Sequence, residues 1–319
     1  MAVDSQKRAA ADLDELNALA LSAGLEPATR VRCRRDRPDP AFFIGSGKAD
    51  ELAKLIESEA ITEVVFDQAL SAVHQRNLNR LWQVPVLDRT ELILEIFARR
   101  AQSQEGQAQV ELARLQHQST RLVRMWTHLE RQRGGIGVRG GPGERQIELD
   151  RRMIETKIRR LRERLTLMAK QRQTRRKARQ RQGAFKISLV GYTNAGKSSL
   201  LNRLTNAGVL AEDKLFATLD PTTRQFVLPN KLKVLFTDTV GFIRKLPHTV
   251  IESFKATLEE LKSADLLVHV VDLSHPQWED HIAATDAVIR ELEADGKHTL
   301  VVFNKIDRVT TPEAVEAAR

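Results

Sequence analysis

The spacing of hydrophobic positions divides the chain into three regions. In the first, about residues 1–98, short apolar runs alternate with helical patterns. The apolar runs predict strands at Arg30–Cys33, Phe42–Ile44, Glu63–Phe66 and Val84–Leu87. The helical patterns predict helices at Asp12–Ala23, Ala49–Glu59, Ala72–Trp82 and Glu91–Arg100. This alternation predicts a small α/β domain with a parallel sheet over residues 1–100.

The segment FFIGSGKADEL places Gly45 and Gly47 between a predicted strand and a predicted helix. Such a position suits an anion at the helix N-terminus. The glycine spacing is not that of a full phosphate loop, however, and we favour a plain tight turn.

The second region, residues 101–182, is typical of two long helices. Mostly apolar positions recur at intervals of three and four residues in both, at Leu112, Leu115, Ser119, Leu122, Trp126 and Leu129, and at Ile154, Ile158, Leu161, Leu165 and Met168. Heptad spacing of this kind places one apolar stripe on each helix. Six glycines within residues 134–143 cannot continue a helix. The region therefore predicts a long antiparallel helical hairpin with a glycine-rich tip.

The net charge of +9 is concentrated in this hairpin. Residues 99–182 carry 23 Lys and Arg against 8 Asp and Glu, a net charge of +15, so the remaining chain carries −6. A concentrated basic segment suggests a polyanionic partner, either nucleic acid or an acidic membrane surface. A well-solvated pair of charged helices would show the same composition, and this alternative stays open.

The third region, residues 184–319, opens with a phosphate-binding motif. The apolar strand FKISLV precedes GYTNAGKSSLLNRL, in which Gly191, Gly196, Lys197 and Ser198 satisfy G-x-x-x-x-G-K-[ST]. A strand before the motif and a helix after it are the required context. Backbone N–H groups of such a loop surround the phosphates, the lysine reaches the β and γ phosphates, and the serine ligates Mg²⁺.

Two further motifs favour GTP as the nucleotide. The apolar strand Leu232–Thr237 is followed by D-x-x-G at Asp238–Gly241, and Leu300–Phe303 is followed by N-K-x-D at Asn304–Asp307. The first aspartate lies by the metal, and the glycine N–H can meet the γ-phosphate. A carboxylate such as Asp307 can accept both N1–H and N2–H₂ of guanine, a donor pair that adenine lacks. The three motifs in order predict a GTP-binding domain.

Parts of the predicted GTP site stay open from the residues alone. Thr218, Thr222 and Thr223 are each candidates to complete the Mg²⁺ shell. Phe242 stands where many GTPases carry a glutamine that orients the attacking water, so we expect slow intrinsic hydrolysis. Asn194 could help to bind a K⁺ ion that supplies a fixed positive charge, or could bond to its own backbone.

The composition excludes several other classes of protein. A single cysteine, Cys33, rules out an intramolecular disulfide framework and fits a reducing cytoplasm. The eight histidines show no metal-ligand spacing. No apolar run approaches the roughly 18 residues that a membrane helix needs, and the first residues lack the apolar core of a signal peptide. We expect a cytoplasmic protein without stable membrane insertion.

Taken together, the motifs resemble the HflX family of GTPases. The resemblance rests on GYTNAGKSSL, LFATLDPTTR, DTVGFIRKLPH and NKID in this order, on FFIGSGKADELAKLI, and on the hairpin sequences QVELARLQHQSTRLVRMWTHLERQRGGIG and GPGERQIELDRR. It covers essentially the whole chain. The implied fold class is α/β, with a small N-terminal α/β domain, a long antiparallel helical hairpin and a P-loop GTPase domain.

The resemblance implies a GTP and Mg²⁺ site and a ribosomal partner. HflX proteins bind the large (50S) ribosomal subunit and split stalled 70S ribosomes in the GTP-bound state, notably after heat stress. Carried onto this sequence, Ser198 and Thr218 are the Mg²⁺ ligands, and Lys197, Asp238 and Gly241 are the catalytic candidates. The implied nucleotide-binding residues are Gly191, Tyr192, Thr193, Asn194, Ala195, Gly196, Lys197, Ser198, Phe216, Ala217, Thr218, Leu219, Asp220, Asp238, Thr239, Val240, Gly241, Asn304, Lys305, Ile306 and Asp307.

Three hairpin arginines, Arg133, Arg139 and Arg145, are candidates for contact with rRNA. Arg145 lies in GPGERQ, where many members of the family have GPGETQ, so it adds a charge. We expect a monomer on this reading. The alternative is a GTP-regulated adaptor whose hairpin is an arm for a protein partner; its binding would resist salt, whereas RNA binding would not. A third hypothesis is that the basic segment recruits the protein to the surface of a membrane.

The GTPase region comprises residues 184–319 and is shorter than the family pattern. The last strand, its helix and the guanine-contacting S-A-K-type loop of the family have no counterpart in it. We therefore expect a GTPase domain that is incomplete after N-K-x-D, with one wall of the base pocket missing and an open sheet edge.

Overall fold

The computed structural model describes residues 2–35, 37–132, 142–180, 184–205 and 212–309, together with Glu316. The chain forms two compact units. The first comprises Met1–Ile96 with Glu111–Arg162, and the second comprises Phe97–Val110 with Glu163–Arg319. The division into domains at residues 100 and 182 stays a prediction.

The first unit contains a short parallel sheet packed against helices. Its elements are α1 (Ala2–Ser22), α2 (Ser46–Ser58), β1 (Val64–Phe66), α3 (Ala72–Trp82), β2 (Val86–Asp88) and most of α4 (Arg89–Arg100). β1 and β2 pair in parallel, with Val64 opposite Val86. The buried core side chains are Ile44, Ala49, Ile56, Leu70, Leu78, Trp82 and Val86. The predicted small α/β fold is confirmed.

Two strands predicted for this unit are wrong. Residues 42–44 form part of a turn in which Asp39 and Phe43 exchange backbone hydrogen bonds of 2.8 and 3.0 Å. The Asp39 carboxylate accepts two further N–H groups of the turn, both at 2.9 Å, and Phe43 takes a φ of 66°. Residues 30–33 are largely exposed and find no strand partner in the part of the chain that the structure describes. Within the described ranges, these runs have no neighbouring strand with which to form a ladder.

Two long helices follow, α5 (Gln104–Gln132) and α6 (Pro142–Gln180), which confirms the helical middle region. The predicted heptad positions of α6, from Ile154 to Met168, are less exposed than most of their neighbours, and Leu161 is buried. Arg172 Nη2 lies 3.1 Å from Glu105 Oε1. The start of α5 thus lies beside the end of α6, as an antiparallel pair requires. Residues 134–141 of the predicted tip lie outside the described residues.

The second unit contains a five-stranded sheet in the order β4-β5-β3-β6-β7. Its strands are β3 (Phe185–Val190), β4 (Thr222–Val227), β5 (Lys233–Asp238), β6 (Leu266–Asp272) and β7 (Thr299–Asn304), and its helices include α7 (Lys197–Thr205), α8 (His248–Lys262) and α9 (Trp278–Glu291). β4 is antiparallel to β5, and the other pairs are parallel. The carboxyl ends of β3, β5, β6 and β7 therefore meet at one edge, where ligands bind in open α/β sheets. Among the described residues, none of the helices has the length and apolarity to cross a membrane.

A buried arginine joins three segments of the first unit. Arg89, at the start of α4, is 3% exposed. Its Nη1 lies 2.8 Å from Asp67 Oδ1, and its Nη2 contacts Glu15 of α1. Buried charges are tolerated when they are paired, and removal of one partner leaves the others without compensation.

Replacement of Arg89 by leucine should destabilise the first unit. The Asp67 and Glu15 carboxylates would lose their buried ion pairs with Arg89, so we expect the free energy of unfolding to fall by about 3–5 kcal/mol. Urea unfolding followed by tryptophan fluorescence measures this change. Arg80→Leu, at an exposed position of α3, is the matched control and should change stability by less than about 0.5 kcal/mol. Equal stability of the two variants would contradict the role given to Arg89.

Candidate functional site

The phosphate loop, residues 191–196, connects β3 to α7 and has a backbone that requires glycine at two positions. Gly191 has a φ of 142°, and a Cβ there would lie 2.2 Å from the Val270 carbonyl oxygen. Gly196 has a φ of 98°, and a Cβ there would lie 2.2 Å from Asn304 Nδ2. Any side chain would force the loop away from β6 or from Asn304. The motif glycines thus allow the loop to pack against the neighbouring strand ends.

Lys197 begins α7 and is buried inside this loop. Its Nζ donates hydrogen bonds to the carbonyl oxygens of Gly191 at 3.1 Å and Tyr192 at 2.8 Å. Burial lowers the pKa of Lys197 to about 8, although the Asp238 carboxylate acts in the opposite direction. The ammonium group therefore lies where loop oxygens, and equally phosphate oxygens, can surround it.

Three oxygen-bearing side chains meet beside Lys197. Ser198 Oγ donates to Asp238 Oδ2 at 2.6 Å, and Thr218 Oγ1 donates to the same oxygen at 3.1 Å. The two hydroxyl oxygens are 2.8 Å apart. Burial raises the pKa of Asp238, and the nearby Lys197 ammonium opposes that rise.

This cluster fits a hard divalent cation. Asp238 Oδ1 is buried, and it has no hydrogen-bond partner among the described residues. Hydroxyl and carboxylate oxygens are the donors that Mg²⁺ prefers. Ser198 and Thr218 are the residues that would hold the ion directly, with Asp238 behind them.

The structure separates the three candidate threonines. Thr218 alone of the three belongs to the oxygen cluster. Thr222 begins β4, and Thr223 Oγ1 lies 3.0 Å from Thr237 Oγ1 of the neighbouring strand. These two hydroxyls belong to the sheet, so Thr218 is the threonine that can reach the cation.

The D-x-x-G segment packs tightly against the phosphate loop. The Phe242 N–H donates to the Gly191 carbonyl at 3.1 Å, and the Thr193 N–H donates to the Phe242 carbonyl at 2.7 Å. A Cβ on Gly241 would lie 2.5 Å from Thr193 Cα. The Phe242 side chain is buried and offers no polar atom to orient a water.

The N-K-x-D segment holds the phosphate loop with its first two side chains. Asn304 Nδ2 donates to the Ala195 carbonyl at 2.8 Å, and Lys305 Nζ donates to the Asn194 carbonyl at 2.9 Å. Lys305 Nζ also lies 2.8 Å from Asp272 Oδ2. Burial acts to raise the pKa of Asp272, but hydrogen bonds from Lys305 and Ser274 outweigh it and lower the pKa.

The last residue of that motif, Asp307, has a different environment. It lies in a short 3-10 turn, Ile306–Arg308, and is exposed. Its carboxylate is thus accessible to a base, whereas Asn304 and Lys305 are engaged within the protein.

Asn194 does not bond to its own backbone as one alternative proposed. It has a φ of 60°, and its Nδ2 donates to Asp213 Oδ1 at 2.7 Å. This bond connects the phosphate loop to the segment that carries Thr218. The K⁺ hypothesis stays a prediction.

Ten of the predicted nucleotide-binding residues line one cleft, and the others lie outside its lining. The cleft is lined by Thr193, Asn194, Gly196, Lys197, Ser198, Phe216, Ala217, Thr218, Thr239 and Gly241, and by the unpredicted Ser199, Glu212 and Lys214. Leu219 and Val240 are buried, and the Asp220 carboxylate bonds to residues before α5. Tyr192 stacks on His281 at a ring distance of 3.6 Å.

Several side chains in or beside the cleft were not predicted. Asp272 stands at the end of a strand, as Asp238 and Asn304 do, and this position could have identified it. Glu212 and Lys214 belong to no motif. Arg133 and Arg139 lie outside the described residues, and so does the side chain of Arg145.

Comparison with known proteins supports a GTP site. Three family models match the chain: "GTP-binding GTPase N-terminal" over residues 10–98, "GTP-binding GTPase Middle Region" over residues 100–179 and "50S ribosome-binding GTPase" over residues 186–305. The protein named GTPase HflX from Magnetococcus marinus is 54% identical over 95% of this chain and 70% of its own length. The protein of the same name from Escherichia coli is 49% identical over 93% of this chain and 69% of its own length.

Two solved structures with bound GDP resemble most of the chain. The crystal structure of a complex of SsGBP with GDP matches with a TM-score of 0.53 and 26% identity, and covers 95% of this chain and 84% of that chain. A GTP-binding protein from the archaeon Sulfolobus solfataricus, also in complex with GDP, matches with a TM-score of 0.50, 26% identity and the same coverage.

The lowered pKa of Lys197 should make phosphate binding depend on pH. Above about pH 8 the free protein holds a neutral lysine, so binding GDP requires uptake of a proton. We expect the GDP dissociation constant to rise between about pH 7 and 9, by up to about tenfold per unit. Titration calorimetry in buffers of different ionisation enthalpy measures both the constant and the proton uptake.

Lys233→Gln, which removes an exposed lysine at the start of β5, is the matched control and should keep the same pH dependence of GDP binding. A flat dissociation constant and no proton uptake in the wild-type protein would contradict the lowered pKa.

Proposed function

Because the chain belongs to the HflX family of GTPases, we propose that it binds GTP in this cleft, and that the bound nucleotide controls association with the large ribosomal subunit and the splitting of stalled 70S ribosomes. The observation that carries the proposal is the meeting of Ser198, Thr218 and Asp238, which three separate segments bring within 2.6 to 3.1 Å of one another. A site that senses the third phosphate needs this arrangement of loop, threonine and strand end.

The side chains of the cleft have distinct roles in this proposal. Lys197 and the N–H groups of the phosphate loop bind the β and γ phosphates. Ser198 and Thr218 hold Mg²⁺, which neutralises charge on the phosphate oxygens when bound. Asp238 accepts hydrogen bonds from both hydroxyl groups and so fixes the two oxygens, and the Gly241 N–H would contact the γ-phosphate.

Hydrolysis should be slow without the ribosome. Phe242 is buried and replaces the glutamine that orients water in many GTPases. Asn194, which joins the phosphate loop to Asp213, would help to hold a K⁺ ion that supplies the missing positive charge. Binding to the ribosome would then complete the site and accelerate GTP hydrolysis, which in turn would release the protein from the ribosome.

The basic helices would contact rRNA. Lys157, Arg160 and Arg164 are exposed on α6 and recur at three- and four-residue spacing, so they lie on one face of the helix. Ribosomal RNA is a dense polyanion that such a face can follow without reading sequence. The tip arginines Arg133, Arg139 and Arg145 would extend this contact. The protein would act as a cytoplasmic monomer that associates with ribosomes.

Asp307→Asn should change the base preference of the site. An asparagine amide cannot accept both guanine donors but matches the 2-oxo group of xanthine, so preference should move from GTP to xanthosine triphosphate by about 100-fold or more. Titration calorimetry with GTP and with xanthosine triphosphate measures the two affinities directly. Asp295→Asn, which removes an exposed carboxylate elsewhere in the same unit, should leave the preference unchanged. Retained GTP preference in Asp307→Asn would refute the base-reading role.

Removing three charges from α6 should weaken ribosome association without affecting GTP binding. We compare Lys157→Gln, Arg160→Gln and Arg164→Gln combined with the matched control Lys54→Gln, Arg76→Gln and Arg80→Gln, which removes three exposed charges from α2 and α3. The slope of log affinity against log salt should fall by about 2 to 3 in the first variant only. Co-sedimentation with 50S subunits at several KCl concentrations measures it.

The function itself is tested on sucrose gradients of 70S ribosomes with a non-hydrolysable GTP analogue or with GDP. The proposal expects that, with the analogue but not with GDP, the 70S peak decreases and the protein migrates with the 50S subunit. Absence of binding to ribosomes or subunits at low salt would refute it and leave the adaptor reading, in which the hairpin binds a protein.

A further inference from the structure

The segment that carries Thr218 is held by residues 97–106, which precede the five-stranded sheet in the chain. We call residues 212–220 the switch segment. The Asp220 carboxylate accepts hydrogen bonds from the backbone N–H groups of Gln102 at 2.9 Å and Ser103 at 2.8 Å, and from the Ser103 hydroxyl. The Gly106 N–H donates to the same hydroxyl oxygen at 2.9 Å. Ser103 is therefore the N-cap of α5, and Asp220 holds that cap in place.

An apolar contact fixes the other side of the switch segment. The ring of Phe216 meets Phe97, in the last turn of α4, edge to face at 4.8 Å, and Phe97 in turn meets Phe254 of α8 at 5.0 Å. Phe97 and Phe216 are both at most 2% exposed. Arg100 Nη2 lies 2.8 Å from Glu212 Oε2, and this hydrogen bond lowers the pKa of Glu212.

Thr218 lies between these two attachments, two residues from Phe216 and two from Asp220. We propose that the α4–α5 junction, residues 97–106, is a positioning element for the GTPase site: it holds Thr218 beside Ser198 and Asp238. This inference rests on the proposed function, and it adds residues that belong to none of the nucleotide motifs.

The contacts of the switch segment should favour the triphosphate-bound state over the diphosphate-bound state. The attachments coexist with the close approach of Thr218 to Ser198 and Asp238, the arrangement that a triphosphate with Mg²⁺ requires. Loss of the attachments should therefore weaken the triphosphate state selectively. By linkage, a triphosphate must stabilise the contact between Asp220 and the α5 cap by the same factor.

Gly106→Ala tests the proposal without weakening the helix. A Cβ at residue 106 would lie 2.5 Å from Asp220 Oδ1, so the carboxylate must move. Alanine itself favours helix relative to glycine. Gly47→Ala in the first turn of α2 is the matched control, because a Cβ there meets nothing within 4 Å. Ser103→Ala removes the cap hydroxyl by a different chemical change.

The probes are GDP and the analogue GMPPNP, with Mg²⁺ titrated separately. Gly106→Ala and Ser103→Ala should each lower the affinity for GMPPNP, and raise the Mg²⁺ concentration for half-maximal GMPPNP binding, by about tenfold. GDP affinity should change by less than about twofold. Hydrogen exchange of the Gln102 and Ser103 amides should slow on addition of GMPPNP in the wild-type protein and not in Gly106→Ala.

Unchanged GMPPNP affinity in Gly106→Ala and Ser103→Ala, with normal wild-type binding, would overturn this inference and leave the proposed function intact. An equal loss of GDP and GMPPNP affinity in both variants would overturn it as well, because a positioning role acts on the triphosphate state. Absence of nucleotide binding by the wild-type protein would overturn the proposed function too.

Discussion

The oxygen cluster of the candidate site depends on one atom, Oδ2 of Asp238. It accepts hydrogen bonds from the hydroxyl of Ser198, in the helix after the phosphate loop, and from the hydroxyl of Thr218, in the switch segment. Asp238 is the last residue of β5, so the sheet fixes the position of the carboxylate. Because this carboxylate is fully buried, each hydroxyl that reaches it offsets part of the cost of desolvation. The shared acceptor draws three distant segments into one site.

The residues that local patterns predict well are those whose chemistry depends on a strand end. Lys197, Asp238 and Asn304 follow or end apolar strands, and parallel pairing brings those ends to one edge of the sheet. A strand–loop–helix pattern is visible within about fifteen residues, so the sequence alone identifies it. Helix α3 is also predicted from a local pattern, because its N-cap Ser71 lies three residues before His74 and accepts the His74 N–H at 3.2 Å.

The features that sequence patterns predicted wrongly or missed depend on contacts far along the chain. Residues 30–33 and 42–44 are predicted as strands, but they have no strand to pair with among the residues that the structure describes. The Asp220 carboxylate bonds to residues about 118 positions earlier, and its motif gives no sign of that partner. Asp213 and Glu212 likewise bind groups that only the folded chain brings near. A local motif identifies which side chains can form hydrogen bonds or ion pairs, but the fold determines which residues they contact.

The division of this molecule into compact units does not follow the order of the chain. α4 is one continuous helix, yet Ile96 and Phe97 within it belong to different units. A recombinant fragment that begins at the first strand of the GTPase sheet would lack Phe97 and Ser103, expose the ring of Phe216 and release the Asp220 carboxylate. Fragments prepared for binding or crystallisation studies should therefore carry residues 97–110 with the sheet, supplied on the same chain or added as a peptide.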